Sequence, residues 1–319
     1  MNKKILAATI AVIFGIAAAI YLSNGSDLPI VAIANYGPHA SLEASLNGAK
    51  SELAKHGFIE GKTVRYEIAD VGFDPALISQ MIAKLKASKP KVMIVKSTPV
   101  AQFAKGKIKD IPLVFCDITD PMAAGLLKDK THSHGNMTGS SDMGNLEAFL
   151  SFAKTLFPHA KVVGLLYSTS ESNDAALAQM MKDAAAKTGL SVLAIPVDQS
   201  RDIPLRMQEF RGKVDFIYVG TSGPIQPALP IIAAEAQKMN IPVFNAEDQA
   251  VRDGLALASF GVNYESVGKN AGKLAAKLLK GVSVQHLPPI FPKTEDHKSC
   301  MNKKLAEKFG IRIPKDLPK

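Results

Sequence analysis

The chain has 319 residues, of which 47% are hydrophobic and 21% are charged. This composition excludes a mostly disordered chain, and the length exceeds what one hydrophobic core usually organises, so we expect two lobes or domains. The net charge is +9, but the lysines are scattered over helical patterns and form no stripe interleaved with aromatic residues. We therefore predict solvated helix faces and no nucleic-acid binding.

The N-terminus carries two lysines and then an uncharged apolar segment from Ile5 to Leu22. This pattern predicts that residues 1–26 are a signal peptide or an N-terminal membrane anchor. As a helix the segment would extend roughly 27 Å, so a cleaved signal and a retained anchor both remain open. No cysteine lies near the end of this segment, which disfavours a bacterial lipoprotein. In either case the rest of the chain is expected in the periplasm or another extracytoplasmic space.

From residue 30 onward, strand-like and helix-like patterns alternate strictly. The predicted strands are 30–35, 63–70, 91–97 and 112–118, and the predicted helices between them are 41–57, 74–88 and 99–107. Such alternation predicts parallel strands joined by right-handed helical crossovers.

The same order begins again after residue 145. The predicted strands are 161–168, 191–197, 215–220 and 242–247, and the predicted helices are 146–158, 174–189, 203–212 and 228–240. Each strand follows its counterpart in the first half by about 130 residues, as in an internal repeat. We therefore predict an α/β fold with two doubly wound parallel-sheet lobes.

The C-terminal part must join one lobe or the other. Because the second half is complete by Glu247, we expect the strand at 255–261 and the helix after it to return to lobe 1, and the tail to cross back to lobe 2. The predicted lobes are 27–142 plus 255–288 (lobe 1) and 143–254 plus 289–319 (lobe 2), with linkers near 139–145, 246–255 and 285–294.

Patterns typical of enzymes are absent from the sequence. The segment "GFIEGKT" has one residue too few for a P-loop, and "GSSDMG" lacks the spacing of a nucleophile elbow. His132 and His134 stand in a polar loop without further metal ligands at suitable spacing. Cys116 and Cys300 are far apart; we favour two separate thiols, although a disulfide stays open. We predict no catalytic residue, no metal and no cofactor.

Small polar residues follow the predicted strands. In an open parallel sheet, ligands bind beyond the carboxyl ends of the strands, where helix N-terminal amides can hold an anion. These ends read "NYGPHAS", "KSTP", "DITDP", "YSTSESND", "GTSGP" and "NAEDQ". They favour a small zwitterionic or polar ligand held between the lobes.

Acidic residues at the same ends are candidate partners for a ligand ammonium group, although each could instead cap a helix or a turn. His39 could contact the ligand or only cap its helix, and both roles stay open. Tyrosines at strand ends could cover an aromatic ligand or belong to the core. The acidic candidates are Asp117, Asp120, Asp142, Glu171, Glu247 and Asp248, and the tyrosines are Tyr36, Tyr167 and Tyr218.

The order of several motifs resembles one family. The motifs are "ANYGPHASLEASLNGAKSEL", "PLVFCDITDPMAAGLL", "NMTGSSDM" and "VVGLLYSTSESND", of which "TDP", "TGSSD" and Y-S-x-x-E-x-N are the more specific. Together they resemble the ABC-transporter substrate-binding proteins of the tryptophan/tyrosine-binding type, over essentially the whole mature chain. The resemblance implies a type I periplasmic-binding-protein fold with a three-segment hinge. One departure is "GTSGP", where the family commonly shows P-x-D-N.

The resemblance implies an extracytoplasmic solute-binding protein of an ABC importer that closes on its ligand and delivers it to a membrane permease. It is not expected to be an enzyme, and an aromatic amino acid is the first expectation for the ligand. Alternatives are an exported ligand-sensing module for a membrane receptor or, less favoured, an extracytoplasmic α/β enzyme. With Thr221 from "GTSGP", the expected ligand-binding residues are Pro38, His39, Ser97, Thr98, Thr119, Asp120, Ser140, Asp142, Ser168, Glu171, Asn173, Thr221 and Asp248.

Overall fold

A computed structural model describes residues 28–313 of the chain. The N-terminal segment predicted as a signal peptide or anchor lies outside the described residues. Between residues 28 and 313, no helix combines the length and the apolar character needed to cross a membrane.

The first lobe contains a sheet of five parallel strands. The strands are β1 (Ile30–Asn35), β2 (Arg65–Asp70), β3 (Val92–Lys96), β4 (Leu113–Ile118) and β5 (Met137–Ser141). Their order across the sheet is β2-β1-β3-β4-β5. The connecting helices are α1 (Ala40–Lys55), α2 (Ile78–Ala87) and α3 (Thr98–Lys107).

The second lobe contains a sheet of six strands. The strands are β6 (Val162–Tyr167), β7 (Ser191–Pro196), β8 (Phe216–Val219), β9 (Val243–Asn245), β10 (Ala258–Val262) and β11 (His297–Met301). Their order is β11-β10-β9-β8-β6-β7, and only the β10–β11 pair is antiparallel. The helices of this lobe are α4 (Leu146–Leu156), α5 (Ser172–Thr188), α6 (Ile203–Met207), α7 (Leu229–Lys238), α8 (Asp248–Arg252) and, near the C-terminus, α10 (Lys303–Lys308). Helix α9 (Tyr264–Leu279) follows β10 but packs on the first lobe.

The central strands of each sheet are buried on both faces, which explains their nearly continuous apolar sequences. On β1, Ala32 and Ala34 face one core cluster, whereas Val31 and Ile33 face the other. Strand β8 alternates in the same way between the two cores of the second lobe. Covering both faces with helices is the usual arrangement of a parallel sheet. The predicted fold class, two α/β lobes with parallel sheets, is confirmed.

The expected return of the strand at 255–261 to lobe 1 is wrong. Strand β10 pairs with β9 on one side and with β11 on the other, so it extends the second sheet. The short helix α8 lies in the connection between β9 and β10, which makes a local crossover within one lobe. Leu257 and Ala258 are fully buried in that lobe's core. We propose that the second crossing between lobes follows β10, near 262–264.

The helix after β10 does pack on the first lobe. Ala271 and Leu274 of α9 belong to the same core cluster as Val31 and Ile33. Helices α9 and α1 approach so closely that a Cβ on Gly268 would lie 1.9 Å from the carbonyl oxygen of Ser45. Glycine is therefore required at this contact, because any side chain would force the two helices apart.

Backbone and side-chain hydrogen bonds tie together the segments that run between the lobes. Ser141 N donates to Ile290 O at 2.9 Å, and Ile290 N donates to Gly139 O at 2.8 Å. At the start of β11, Nε2 of His297 accepts from the backbone N–H of Asn145 at 3.0 Å. The first and third segments are thus hydrogen-bonded to each other on both sides of the crossing.

Candidate ligand-binding site

The carboxyl ends of the two sheets face each other across a cleft. Side chains meet across it in several places. The Tyr36 hydroxyl donates to Glu171 Oε1 at 2.8 Å, and the Ser41 hydroxyl donates to Glu247 Oε1 at 3.0 Å. The hydroxyls of Thr119 and Thr221 lie 3.4 Å apart, and the Ser172 hydroxyl donates to Gln102 Oε1 at 3.1 Å. The two lobes are therefore in contact, and the cleft between them is closed.

A cavity remains inside the closed cleft, with about 510 Å³ of empty space including its mouth. Its wall comes from both lobes and from the crossing segments. Eight of the sequence-predicted ligand residues line it: His39, Ser97, Thr98, Thr119, Asp142, Glu171, Asn173 and Thr221. The structure brings these residues together, and their contact with a ligand stays a prediction.

The junction between β1 and α1 forms one wall. His39 occupies the N-cap position of α1 in an extended conformation, without a capping hydrogen bond from its side chain. Its Nδ1 lies 2.8 Å from the hydroxyl of Ser41 and 3.7 Å from Glu247 Oε2. Burial lowers the pKa of His39 and raises the pKa of Glu247 to about 7. The junction thus contacts the second lobe, and its uncapped helix N-terminus keeps backbone amides free.

The N-terminus of α3 forms an anion-binding corner. Ser97 precedes the helix with φ 71°, a left-handed value that is uncommon for a residue with a side chain. This conformation costs on the order of 1–3 kcal/mol and is typical of functional sites. The first-turn amides of α3 have no acceptor within the helix, and the hydroxyls of Ser97 and Thr98 lie beside them. The corner can therefore hold a carboxylate.

An acidic cluster lies next to this corner, at the ends of β4 and β5. Asp117 Oδ2 accepts from the Ser45 hydroxyl at 2.7 Å and lies 3.6 Å from Lys96 Nζ. Burial raises the pKa of Asp117, and Lys96 opposes that rise. Asp142 Oδ2 accepts from the Tyr264 hydroxyl at 3.0 Å. Burial and then the charge of Asp117 raise the pKa of Asp142 to about 7.

The remaining oxygen of Asp142, Oδ1, is buried and accepts no hydrogen bond from any described residue. The cavity wall contains four carboxylates, whereas no lysine or arginine within residues 28–313 lines it. A buried carboxylate needs a partner, because leaving it unpaired costs several kcal/mol. The cluster is thus suited to a ligand ammonium group.

The other end of the cavity is aromatic. The rings of Tyr36 and Phe73 meet edge to face with centroids 5.5 Å apart. Gly223 lies against them, and a Cβ on it would come within 2.7 Å of Tyr36 Cε1. Tyr36 is held by its bond to Glu171, whose other oxygen accepts from the Gly223 amide at 3.2 Å. This end offers a flat, partly apolar surface.

Five predicted ligand residues lie outside the cavity wall. Pro38 lies in an adjoining outer hollow. Asp120 caps a turn by accepting from the amides of Met122 and Ala123, and Ser140 is buried within β5. The hydroxyl of Ser168 bonds to Ser170 and Asp198. Asp248 is exposed and pairs with Arg252 at 2.6 Å. A turn cap, hydrogen bonds within the second lobe and a surface ion pair thus account for Asp120, Ser168 and Asp248.

Several residues of the cavity were not among the predicted ligand residues. Tyr36, Asp117 and Glu247 stood at strand ends and were considered only as candidates. Four others belong to the strand-end segments but were not chosen as ligand residues: Ser41, Pro99, Ser222 and Gly223. The rest lie outside those segments: Leu42, Phe73, Gln226, Pro227 and Tyr264. Of the candidate tyrosines, Tyr218 is a buried core residue, and Tyr167 packs at the edge of the same core.

Two lobes with a cleft of this kind define the type I periplasmic-binding-protein fold. The family described as ABC transporter substrate binding protein matches residues 30–319. The chain therefore belongs to the ABC-transporter substrate-binding protein family, and the resemblance seen in its motifs is confirmed.

Individual relatives agree with this assignment. The chain is 32% identical over 250 residues to the tyrosine-binding protein of Clostridioides difficile strain R20291, covering 78% of this chain and 72% of the relative. A solved ABC domain from Streptococcus pneumonia, in complex with L-Trp, is 28% identical with a TM-score of 0.86. A ligand-free, open substrate-binding protein from Clostridium difficile is 30% identical with a TM-score of 0.71. Both structural matches cover 91% of this chain and 97% of the other.

Proposed function

We propose that this substrate-binding protein captures an aromatic amino acid as its zwitterion outside the cytoplasm and delivers it to the permease of an ABC importer. The observation that carries the proposal is the pairing of an anion-binding corner, at Ser97 and Thr98, with the unpartnered Oδ1 of Asp142. An α-amino acid presents a carboxylate and an ammonium group on one carbon, and the ends of β3 and β5, on either side of β4, offer a partner for each.

The aromatic end of the cavity and the two relatives support the choice of side chain. Tyr36 and Phe73 give an edge-to-face pair against which a ligand ring can pack. One relative is named for tyrosine, and another was solved with L-Trp. The family model and the tyrosine-binding relative support a role in binding without chemistry.

Closure of the lobes is the event that a permease would detect. At similar identities, this structure matches the L-Trp complex better than the ligand-free, open relative, with TM-scores of 0.86 and 0.71. This difference supports a closed arrangement here. A ligand that contacts both lobes stabilises the closed form by its differential affinity, and the closed form then docks.

Isothermal titration calorimetry of the mature chain with the twenty amino acids tests the proposal. We expect L-Tyr or L-Trp to bind with a micromolar or lower Kd, and the thermal midpoint to rise with ligand concentration. Asp142→Ala should abolish the signal, whereas Asp248→Ala, outside the cavity, should not. Recovery of the ligand unchanged after incubation would agree with a binding role. Absence of binding by every aromatic amino acid, or turnover of the ligand, would refute the proposal.

A further inference from the structure

The side chain of Asn173 has an orientation that its neighbours determine. Its Nδ2 lies 3.1 Å from Asp174 Oδ1, 3.3 Å from Glu171 Oε2 and 3.4 Å from the carbonyl oxygen of Thr221. All three neighbours are acceptors. The nitrogen must therefore face them, because the opposite amide orientation would place an oxygen against three oxygens.

This orientation leaves the amide oxygen of Asn173 without a donor. The residue is only 7% exposed and lines the ligand cavity. Its Oδ1 is buried and accepts no hydrogen bond from residues 28–313. A buried acceptor that stays unpaired costs about 1–3 kcal/mol. A hydrogen-bond donor on the ligand would remove this cost.

Asn173 lies beside the residues that hold the aromatic pair of the cavity wall. Its neighbour Glu171 accepts the hydrogen bond from Tyr36, which follows β1 and packs against Phe73. Asp142, in contrast, follows β5 of the first lobe, whereas Asn173 lies in the first turn of α5 in the second lobe. The two free oxygens therefore belong to different lobes, and a ligand that pairs with both contacts both lobes.

We propose that Asn173 selects ligands whose aromatic ring carries a hydrogen-bond donor, such as a phenol O–H or an indole N–H. The inference rests on the proposed function, because the ammonium of an amino acid occupies the acidic cluster and thereby directs the ring toward Asn173. A plain phenyl ring leaves Oδ1 buried and unpaired. Sites built to bond a ligand O–H or N–H reject analogues that lack it far more strongly than they reject a missing methylene.

The first experiment compares matched ligands on the unaltered mature protein by isothermal titration calorimetry at pH 8. L-Phe lacks the hydroxyl of L-Tyr, and L-3-benzothienylalanine has sulfur in place of the indole N–H of L-Trp. We expect the better-bound member of L-Tyr and L-Trp to exceed its donor-free analogue by on the order of 10- to 100-fold in affinity. Equal affinities within each pair would overturn the proposal while leaving the proposed function intact. If no aromatic amino acid binds, both fail together.

The second experiment assigns the preference to one residue. In Asn173→Leu the ratio of affinities between each ligand and its donor-free analogue should fall below about threefold. Leucine is similar in size to asparagine but lacks the amide oxygen that would accept the hydrogen bond. The matched control is Gln179→Leu, at an exposed position of the same helix, which should keep the full ratio. An unchanged ratio in Asn173→Leu would show that another group selects the ring. If this variant fails to fold, the ligand comparison on the unaltered protein still decides.

Discussion

The hydroxyl of Ser41, in the first turn of α1, donates a hydrogen bond of 3.0 Å to Glu247 Oε1 in the opposite lobe. Both side chains are buried, at 9% and 6% exposure. The bond exists only when the cleft is closed, since its two partners belong to different sheets. It therefore stabilises the closed form and contributes nothing to the open one.

We expect Ser41→Ala to weaken ligand binding by about fivefold to tenfold, which corresponds to a lost hydrogen bond of about 1–1.4 kcal/mol. Calorimetric titration with the ligand measures the change. Ser51→Ala, on the exposed side of the same helix, is the control and should bind normally. If Ser41→Ala binds as tightly as the unaltered protein, the contact with Glu247 does not support closure.

Ligand affinity should depend on pH through Asp142. Burial and the nearby Asp117 raise its pKa to about 7, and a ligand ammonium group favours the ionised carboxylate. Affinity is therefore expected to be full at pH 8 and to fall toward pH 5, by up to about tenfold per pH unit below 7. Calorimetry across this range should show a weaker dependence in Asp142→Asn. A Kd that is constant from pH 5 to pH 8 would contradict the assignment of Asp142 as the ammonium partner.

The same carboxyl should destabilise the ligand-free protein at alkaline pH. Its pKa is about 7 in the folded protein against 3.8 for the free group, so the folded state holds the proton more tightly than the unfolded state. The contribution of Asp142 to stability is present below pH 4 and is lost as pH rises to 7.

Urea unfolding of the ligand-free protein measures this effect. Asp142→Asn should raise the free energy of unfolding by on the order of 2 kcal/mol at pH 8 and by little at pH 4. The substitution should thus stabilise the protein while weakening its binding. An Asp142→Asn variant that is less stable than the unaltered protein at pH 8 would contradict the prediction that the buried, ionised carboxylate of Asp142 destabilises the folded protein.

The contact between α1 and α9 should tolerate no side chain at Gly268. Its Cβ would lie 1.9 Å from the Ser45 carbonyl oxygen, so Gly268→Ala should lower the free energy of unfolding by about 2 kcal/mol or more. Gly106→Ala is the matched control, because that helical glycine has open space around it. It should stabilise the protein by about 0.5–1 kcal/mol. Similar effects of both substitutions in urea unfolding would contradict the close approach of the helices.

The alternation of strands and helices was enough to predict the two lobes, since a buried parallel strand has a continuous apolar pattern that is easily recognised. The placement of β10 could not be predicted in this way. An apolar strand at 258–262 fits either sheet, and only its pairing with β9 and β11 decides. Local patterns report burial, whereas the choice between two equivalent sheets depends on the path of the whole chain.

For the candidate site, strand ends were a good guide where the polar group had no local partner. Ser97, Asp142 and Asn173 line the cavity, whereas Asp120 and Asp248 bond within their own turns. The sequence does not distinguish a capping carboxylate from a free one. Phe73 and Tyr264 escaped prediction because tertiary packing brings them to the cleft.

The backbone hydrogen bonds between β5 and Ile290, and the hydrogen bond from the backbone of Asn145 to His297, join the segments that cross between the lobes. These segments form the hinge side of the molecule. Because these segments are hydrogen-bonded to one another, we expect them to move together and not to slide past each other when the lobes separate. We therefore expect opening to be a hinge rotation of one lobe about these segments. The solute must consequently enter and leave on the side of the cleft opposite the crossing segments.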